Sequence, residues 1–207
     1  MSTVLFVKAN DRGDAAVSVK LYEAFLESYK ATHSEDEIIE LDLFQEELPY
    51  LNSDMINGNY KAAQGMELTP GEQAAVAVSD KYINQFLAAD KVVFGFPLWN
   101  LSIPAVLHTY MDYITQAGKT FKYTETGPVG LIPDKKVALI NARGGMYSEG
   151  PAAASEMSLN YMRNMMSFFG VHNFELIVVE GHNQMPDQAE ALVADGVARA
   201  KKAAASF

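Results

Sequence analysis

Five short buried strands constrain this chain more than any other feature. Val92–Phe96 is the clearest of them: Val-Val-Phe-Gly-Phe has no polar residue to turn toward water, so a strand there is buried on both faces. Thr3–Lys8, Ile38–Asp42, Lys136–Asn141 and Phe174–Val179 read as four further short strands. Between them the spacing becomes helical. Val17, Leu21, Ala24, Phe25 and Ser28 share one face, predicting a helix from near Ala15 to Tyr29–His33. Thr69-Pro70-Gly71-Glu72 combines an N-cap, a proline at the first helical position and a capping-box glutamate. The helix it starts buries Val76, Ile83, Phe86 and Leu87 and runs to about Asp90. Ser102 and Pro104 begin another, carrying Val106, Leu107, Tyr110, Met111 and Ile114. Met157–Phe169 places Met162, Met165, Met166 and Phe169 on one face, and Asp187–Ala204 is a final alanine-rich helix.

Buried strands alternating with helices imply a three-layer α/β fold: a five-stranded parallel sheet, helices on both faces, right-handed crossovers. Order 2-1-3-4-5 brings the loops after strands one and three together, and a ligand crevice is expected at the carboxyl edge there. With 207 residues and 49% apolar content, one domain over 1–207 suffices to bury a core. Two segments fall outside the alternation. Leu43–Leu68, with Pro49, Asn52, Asn57, Gly58 and Gly65, reads as a long connection with room for a short helix. Gln116–Pro133 reads as a glycine-rich excursion folded over another part of the chain.

Several function classes are excluded by composition. A net charge of -10 and a pI near 4.8 repel phosphate backbones, and no basic cluster offsets them, so nucleic-acid binding is not expected. There is no cysteine; thiolate nucleophiles and cysteine-held metals are impossible, and redox chemistry would need a bound cofactor. His33, His108, His172 and His182 lack metal-ligand spacing, so no metal is assigned. Met1–Lys8 is too short and too weakly basic for a signal peptide, and no run approaches membrane-spanning length; a cytoplasmic protein without membrane association is expected.

Three loops hold the candidate chemistry. Asn10–Ser18 lacks both the dinucleotide glycine pattern and a P-loop. A phosphate monoester on the following helix N-terminus, with help from Asn10 and Ser18, reads as well as an ordinary polar loop does. Pro97-Leu98-Trp99-Asn100-Leu101 ends the central strand with the only tryptophan and one polar amide. Taken alone it reads more readily as packing; beside Ala142-Arg143-Gly144-Gly145, at a neighbouring strand end, it reads as the wall of a flat ligand. Glu180-Gly181-His182 follows the fifth strand and can reach the same crevice.

At these residues the chain resembles the FMN-dependent NADH:azoreductase family, quinone and azo-dye reductases on a flavodoxin-like fold, with the likeness strongest to those of Bacillus-type bacteria. Val4–Lys8, Leu68-Thr69-Pro70, Phe96–Leu101, Gly118–Leu131, Ala142–Gly145 and Glu180-Gly181 carry the resemblance. It implies FMN as bound cofactor and NADH as electron donor. The phosphate would meet Asn10, Ala16, Val17 and Ser18, and the ring would lie on Pro97, Leu98, Trp99, Asn100 and Leu101. Its pyrimidine edge would meet Ala142, Arg143, Gly144 and Gly145. Ala16, Val17 and Ala142 depart from the family's serine, glutamine and serine, removing side-chain donors.

No acid, base or nucleophile is assigned as catalytic: the flavin does the chemistry, supported by Asn100 and Arg143, in a ping-pong transfer from NADH to quinones or azo bonds. Tyr123 and His182 are expected to line the acceptor pocket, and a homodimer is expected, its second subunit bringing Leu43–Leu68 near the flavin. The rival readings are a flavodoxin-like electron carrier that does not oxidise NAD(P)H itself, and a phosphoaccepting receiver domain. The receiver needs an aspartate where Phe96 and Pro97 stand.

Overall fold

The computed structural model describes residues 1–207. Its main sheet is five-stranded and parallel. The strands are β1 (Thr3–Lys8), β2 (Glu37–Asp42), β3 (Lys91–Pro97), β6 (Lys136–Arg143) and β7 (Phe174–Glu180). Their spatial order β2-β1-β3-β6-β7 is the expected 2-1-3-4-5 once the small hairpin β4 (Phe121–Thr124) and β5 (Gly127–Gly130) is set aside.

Because side chains alternate across a strand, each apolar run feeds two cores. Leu5, Val7, Val92, Phe94, Phe96, Val137 and Leu139 face α3 (Pro70–Ala88), α4 (Ala105–Ile114) and α5 (Leu159–Phe168). Val4, Phe6, Val93, Ala138, Ile140, Ala142, Ile177 and Val179 face α1 (Val17–Thr32) and α6 (Ala189–Ser206). Gly95 sits on the second face directly beneath Tyr22, where a Cβ would lie 2.6 Å from the ring. The glycine in the central strand is therefore what lets α1 pack onto the sheet.

The expected helices form, with small shifts. A 3-10 turn at Gly13–Ala15 precedes α1, which starts at Val17 and buries Leu21, Ala24 and Phe25 but also Val19, Tyr22 and Tyr29. The capping box of α3 is complete: Glu72 N–H donates to Thr69 Oγ1 at 3.3 Å and Thr69 N–H to Glu72 Oε2 at 2.8 Å. Leu43–Leu68 does contain a helix, α2 (Ser53–Ala63), capped by Asn52 Oδ1 accepting from Met55 N–H. Gly58, which reads as a breaker, is where α2 crosses α3; a Cβ there would lie 2.6 Å from Val76 Cγ2.

The Gln116–Pro133 excursion is the hairpin, and it folds over the far end of α5. Ile132 N–H donates to Phe169 O at 3.0 Å, Phe121 packs on Phe168 at 4.4 Å, and Gly130 lies against the backbone of Phe169 and Gly170.

Candidate active site at the carboxyl edge of the sheet

The loops after β1, β3, β6 and β7 converge on one crevice, which divides into a cavity of about 690 Å3 and an adjoining cleft of about 510 Å3. Leu98, Gly144 and Asn183 line both.

The loop after β1 is braced by its own side chains. Asn10, 2% exposed, accepts from Arg12 N–H through Oδ1 at 3.0 Å and donates from Nδ2 to Ser18 Oγ at 2.9 Å. Asn10 therefore locks the loop to the start of α1, and the Ser18 hydroxyl keeps its own proton to donate. Ala16, the N-cap, offers no side-chain acceptor, and the N–H groups of Val17 and Ser18 have no acceptor in the protein. Two free amide donors at a helix N-terminus favour an anion at this end of the cavity.

The loop after β3 is a tight reverse turn. Trp99 N–H donates to Ser102 O at 2.9 Å and Ser102 N–H to Trp99 O at 3.0 Å. Asn100 (φ 50) and Leu101 (φ 69) occupy the left-handed region between them, the geometry of a type I′ turn. Asparagine tolerates it; leucine is strained there. The turn is held from three sides: Leu98 N–H donates to Ala142 O at 2.9 Å, Met157 N–H to Leu101 O at 2.9 Å, and Ser102 Oγ pairs with His108 Nε2 at 3.1 Å. His108, on α4, thereby ties that helix to the turn. Trp99 is half-buried, edge-on to Phe44 at 6.2 Å, and its exposed part faces the cavity.

The loop after β6 differs from expectation at Arg143. Strand β6 runs two residues beyond Asn141, so Arg143 is still in register, opposite Glu180 of β7. Strand alternation turns its side chain away from the crevice and into the protein, where it is 3% exposed and lines neither cavity. Its Nε donates to Asn141 Oδ1 at 2.7 Å and its Nη1 lies 3.4 Å from Glu180 Oε2. Glu180 Oε2 in turn accepts from Tyr147 N–H (2.9 Å) and Ser148 N–H (3.0 Å). Arg143 thus acts on the loop after β6 through Glu180, and its guanidinium points away from the crevice where the resemblance would place a ring edge.

Glu156 completes this buried network. Burial alone would raise its carboxyl, but the Ser158 hydroxyl, the Leu159 and Asn160 N–H groups and the Arg143 charge hold it below the usual range. Ser158 Oγ also accepts from Asn141 Nδ2 at 3.3 Å.

Gly144 and Gly145 do face the crevice, and neither N–H has a protein acceptor. Gly144 O accepts from Asn183 N–H (2.9 Å) and Gln184 N–H (3.1 Å), which joins the loops after β6 and β7. A Cβ on Gly144 would lie 2.5 Å from Asn183 Nδ2, so any larger residue would displace the Asn183 side chain. His182 lines the larger cavity; its Nδ1 is buried without a partner, and burial lowers its pKa.

Asn10, Ala16, Val17, Ser18, Pro97, Leu98, Trp99, Ala142, Gly144 and His182 therefore line the larger cavity, and Leu98, Asn100, Leu101, Gly144 and Gly145 the smaller. Tyr123 joins neither. It is 74% exposed on the hairpin, because the ten residues of α4 carry the chain about 15 Å away from the carboxyl edge before the hairpin begins. Sequence reasoning missed Arg12, Lys20, Tyr147, Asn183, Gln184 and the α6 wall of Glu190, Val193 and Ala194. Asn183-Gln184, directly after a strand end and Gly181, was a readable polar-turn signal; the α6 wall had none.

Over residues 2–204 the chain matches the family described by a flavodoxin-like fold. The chain belongs to that family. It is 65% identical over the full length of both chains to FMN-dependent NADH:quinone oxidoreductase 4 of Bacillus cereus, and 61% identical, again over both full lengths, to FMN-dependent NADH:quinone oxidoreductase 1 of Bacillus subtilis. Among solved structures it superposes on an azoreductase from Bacillus anthracis with a TM-score of 0.98 at 65% identity, covering all of both chains. On an FMN-dependent NADH-azoreductase of the same species, solved in complex with FMN, the TM-score is 0.90 at 30% identity, covering 100% of this chain and 99% of that one. No helix is long and apolar enough to cross a membrane, and no cluster of histidine and carboxylate groups suits a metal ion.

Proposed function

We propose that this chain is an FMN-dependent NADH:quinone oxidoreductase that also cleaves azo bonds, working as one FMN-binding domain over residues 1–207. The observation that carries the reading is the pattern of unmet donors along the crevice. The Val17 and Ser18 N–H groups stand at one end and those of Asn100, Gly144 and Gly145 at the other, with Leu98 and Trp99 as an apolar wall between. A phosphate-bearing flat ring with carbonyls on one edge is the ligand such a crevice fits, and the orphaned His182 Nδ1 is a further polar atom awaiting a partner. The relatives named above support FMN as that ligand.

When bound, FMN supplies the two-electron chemistry, accepting hydride from NADH and passing electrons to a quinone or azo acceptor. The chain's own part is positional. Asn100 and the backbone of its turn would orient the ring, and the Gly144 and Gly145 N–H groups would offer positive dipoles to the negative charge of a reduced ring. Arg143 and Glu180 brace the same loop through the Tyr147 and Ser148 N–H groups, and Trp99 and Leu98 would shield the ring from water. His182, kept neutral by burial, lines the space beside the ring.

We further propose a homodimer acting in the cytoplasm, where NADH is available. The exposed apolar groups Tyr50, Leu51, Ile56, Tyr60 and Met66 in and around α2 support the dimer, since such a patch marks an interaction face.

The test is a visible spectrum of the purified protein followed by steady-state kinetics with NADH and a quinone. Flavin bands and parallel double-reciprocal lines are expected, with direct reduction by NADH in stopped flow separating an enzyme from an electron carrier. Protein that neither retains nor takes up FMN would refute the reading.

A further inference from the structure

Resting on the flavin reading above, we propose that Arg12, assisted by Lys20, is the counter-charge for the flavin nucleotide's phosphate and makes this chain select FMN over riboflavin. Both residues line the larger cavity at the end where α1 begins, beside Ala16, Val17 and Ser18. Neither enters an ion pair or donates a side-chain hydrogen bond, whereas Lys8, Lys30, Lys61, Lys81, Lys91 and Lys119 are all paired with carboxylates. Arg12 stands between Asp11 and Asp14 in sequence and pairs with neither. In a chain of net charge -10, this cavity is lined by two unpaired cations against one carboxylate, Glu190, which favours an anion there.

The need for such a charge follows from what the rest of the loop supplies. Ala16 and Val17 have no polar side-chain atoms, and Asn10 spends Oδ1 on Arg12 N–H and one Nδ2 proton on Ser18. What remains is the second Asn10 Nδ2 proton, the Ser18 hydroxyl and the Val17 and Ser18 amides, which carry partial charge only. Glu190, which lines the same cavity, presents a like charge to any phosphate and is itself unpaired. A dianion placed here needs a full positive charge to offset that carboxylate. Arg12 is the better placed of the two cations, because its backbone is pinned by Asn10 and its fork can meet two phosphate oxygens at once.

The experiment crosses protein variant with ligand phosphate. The full-length chain, freed of flavin by dialysis, is titrated with FMN and with riboflavin by fluorescence quenching, at low and high salt. Arg12→Met should weaken FMN binding about tenfold through loss of a charge-assisted contact while leaving riboflavin binding unchanged. Arg12→Lys should recover part of the loss, and Lys20→Met should show a smaller loss of the same kind. Added salt should weaken FMN binding more in the unaltered chain than in Arg12→Met. Equal weakening of both flavins in Arg12→Met, or none, would overturn the counter-charge role. If the unaltered chain binds FMN and riboflavin equally, the role also falls while the flavin reading stands; if it binds neither, both fall.

Discussion

Replacing Arg143 with methionine separates two ways an arginine can serve a flavin site, and the structure sets the size of the effect. The guanidinium is 3% exposed, with a 2.7 Å charge-assisted bond to Asn141 Oδ1 and a looser 3.4 Å approach to Glu180. Methionine fills the volume but leaves Asn141 Oδ1 unsatisfied and the Glu156 and Glu180 carboxylates without their nearby cation. Breaking a buried pair from one side costs about 3–5 kcal/mol, a large share of the roughly 5–15 kcal/mol by which a domain is stable. At about 2–4 °C per kcal/mol for a chain of this size, Arg143→Met should melt roughly 10 °C lower. Glu180→Gln is the milder partner, because a neutral amide oxygen still accepts from Tyr147 and Ser148 N–H. Urea titrations of the two single variants and the double variant give the coupling, expected to be at least about 1 kcal/mol for residues in one network. Additive losses would refute the clamp. So would an Arg143→Met protein of unaltered stability with a lowered flavin potential, since that is the signature of direct contact with the ring.

Leu101→Gly removes a side chain from a left-handed position (φ 69); relief of strain of about 1–2 kcal/mol, less the entropy glycine gains on unfolding, should raise the urea midpoint slightly, and a fall would show the turn to be unstrained. Gly95→Ala would put a methyl 2.6 Å from the Tyr22 ring and should cost about 1–3 kcal/mol by overpacking; a neutral result in thermal melts would mean α1 does not sit on β3 as described. His182 carries a pKa lowered by burial, so the unfolded chain binds its proton more tightly than the folded one. Its contribution to stability is complete above the unfolded value near 6.5 and declines as pH falls through that value toward the folded one. His182→Asn should therefore flatten the stability profile between about pH 5 and 7; an unchanged slope in urea midpoints across that range would contradict the burial.

Sheet order and the position of the crevice were legible because the central strands β1, β3 and β6 are nearly continuous apolar runs, and such runs belong to the interior of a parallel sheet. Thr69 through Glu72 encodes a helix start by local chemistry alone, and the capping box forms as read. Gly58 misleads for the opposite reason. Its glycine serves a helix crossing with Val76, a partner 18 positions away in the sequence, and local rules see only a breaker in a long connection. Tyr123 misleads in the same manner, since which edge of the sheet the hairpin meets depends on where α4 delivers the chain.

The residue types of the site follow from sequence: a proline-bounded apolar loop, a pair of glycines and a polar helix start at three strand ends. What they do with their side chains does not. A two-residue extension of β6, set by pairing with β7, turns Arg143 inward and makes it a brace. Asn10 is spent on its own loop, and Arg12, which no motif marks, is left facing the cavity unpaired. Periodicity is a property of the chain and survives into the fold, so the sequence alone determined the architecture and the edge where chemistry sits. The direction of each charged group depends on strand register and on partners distant in sequence, and these exist only once the sheet has assembled.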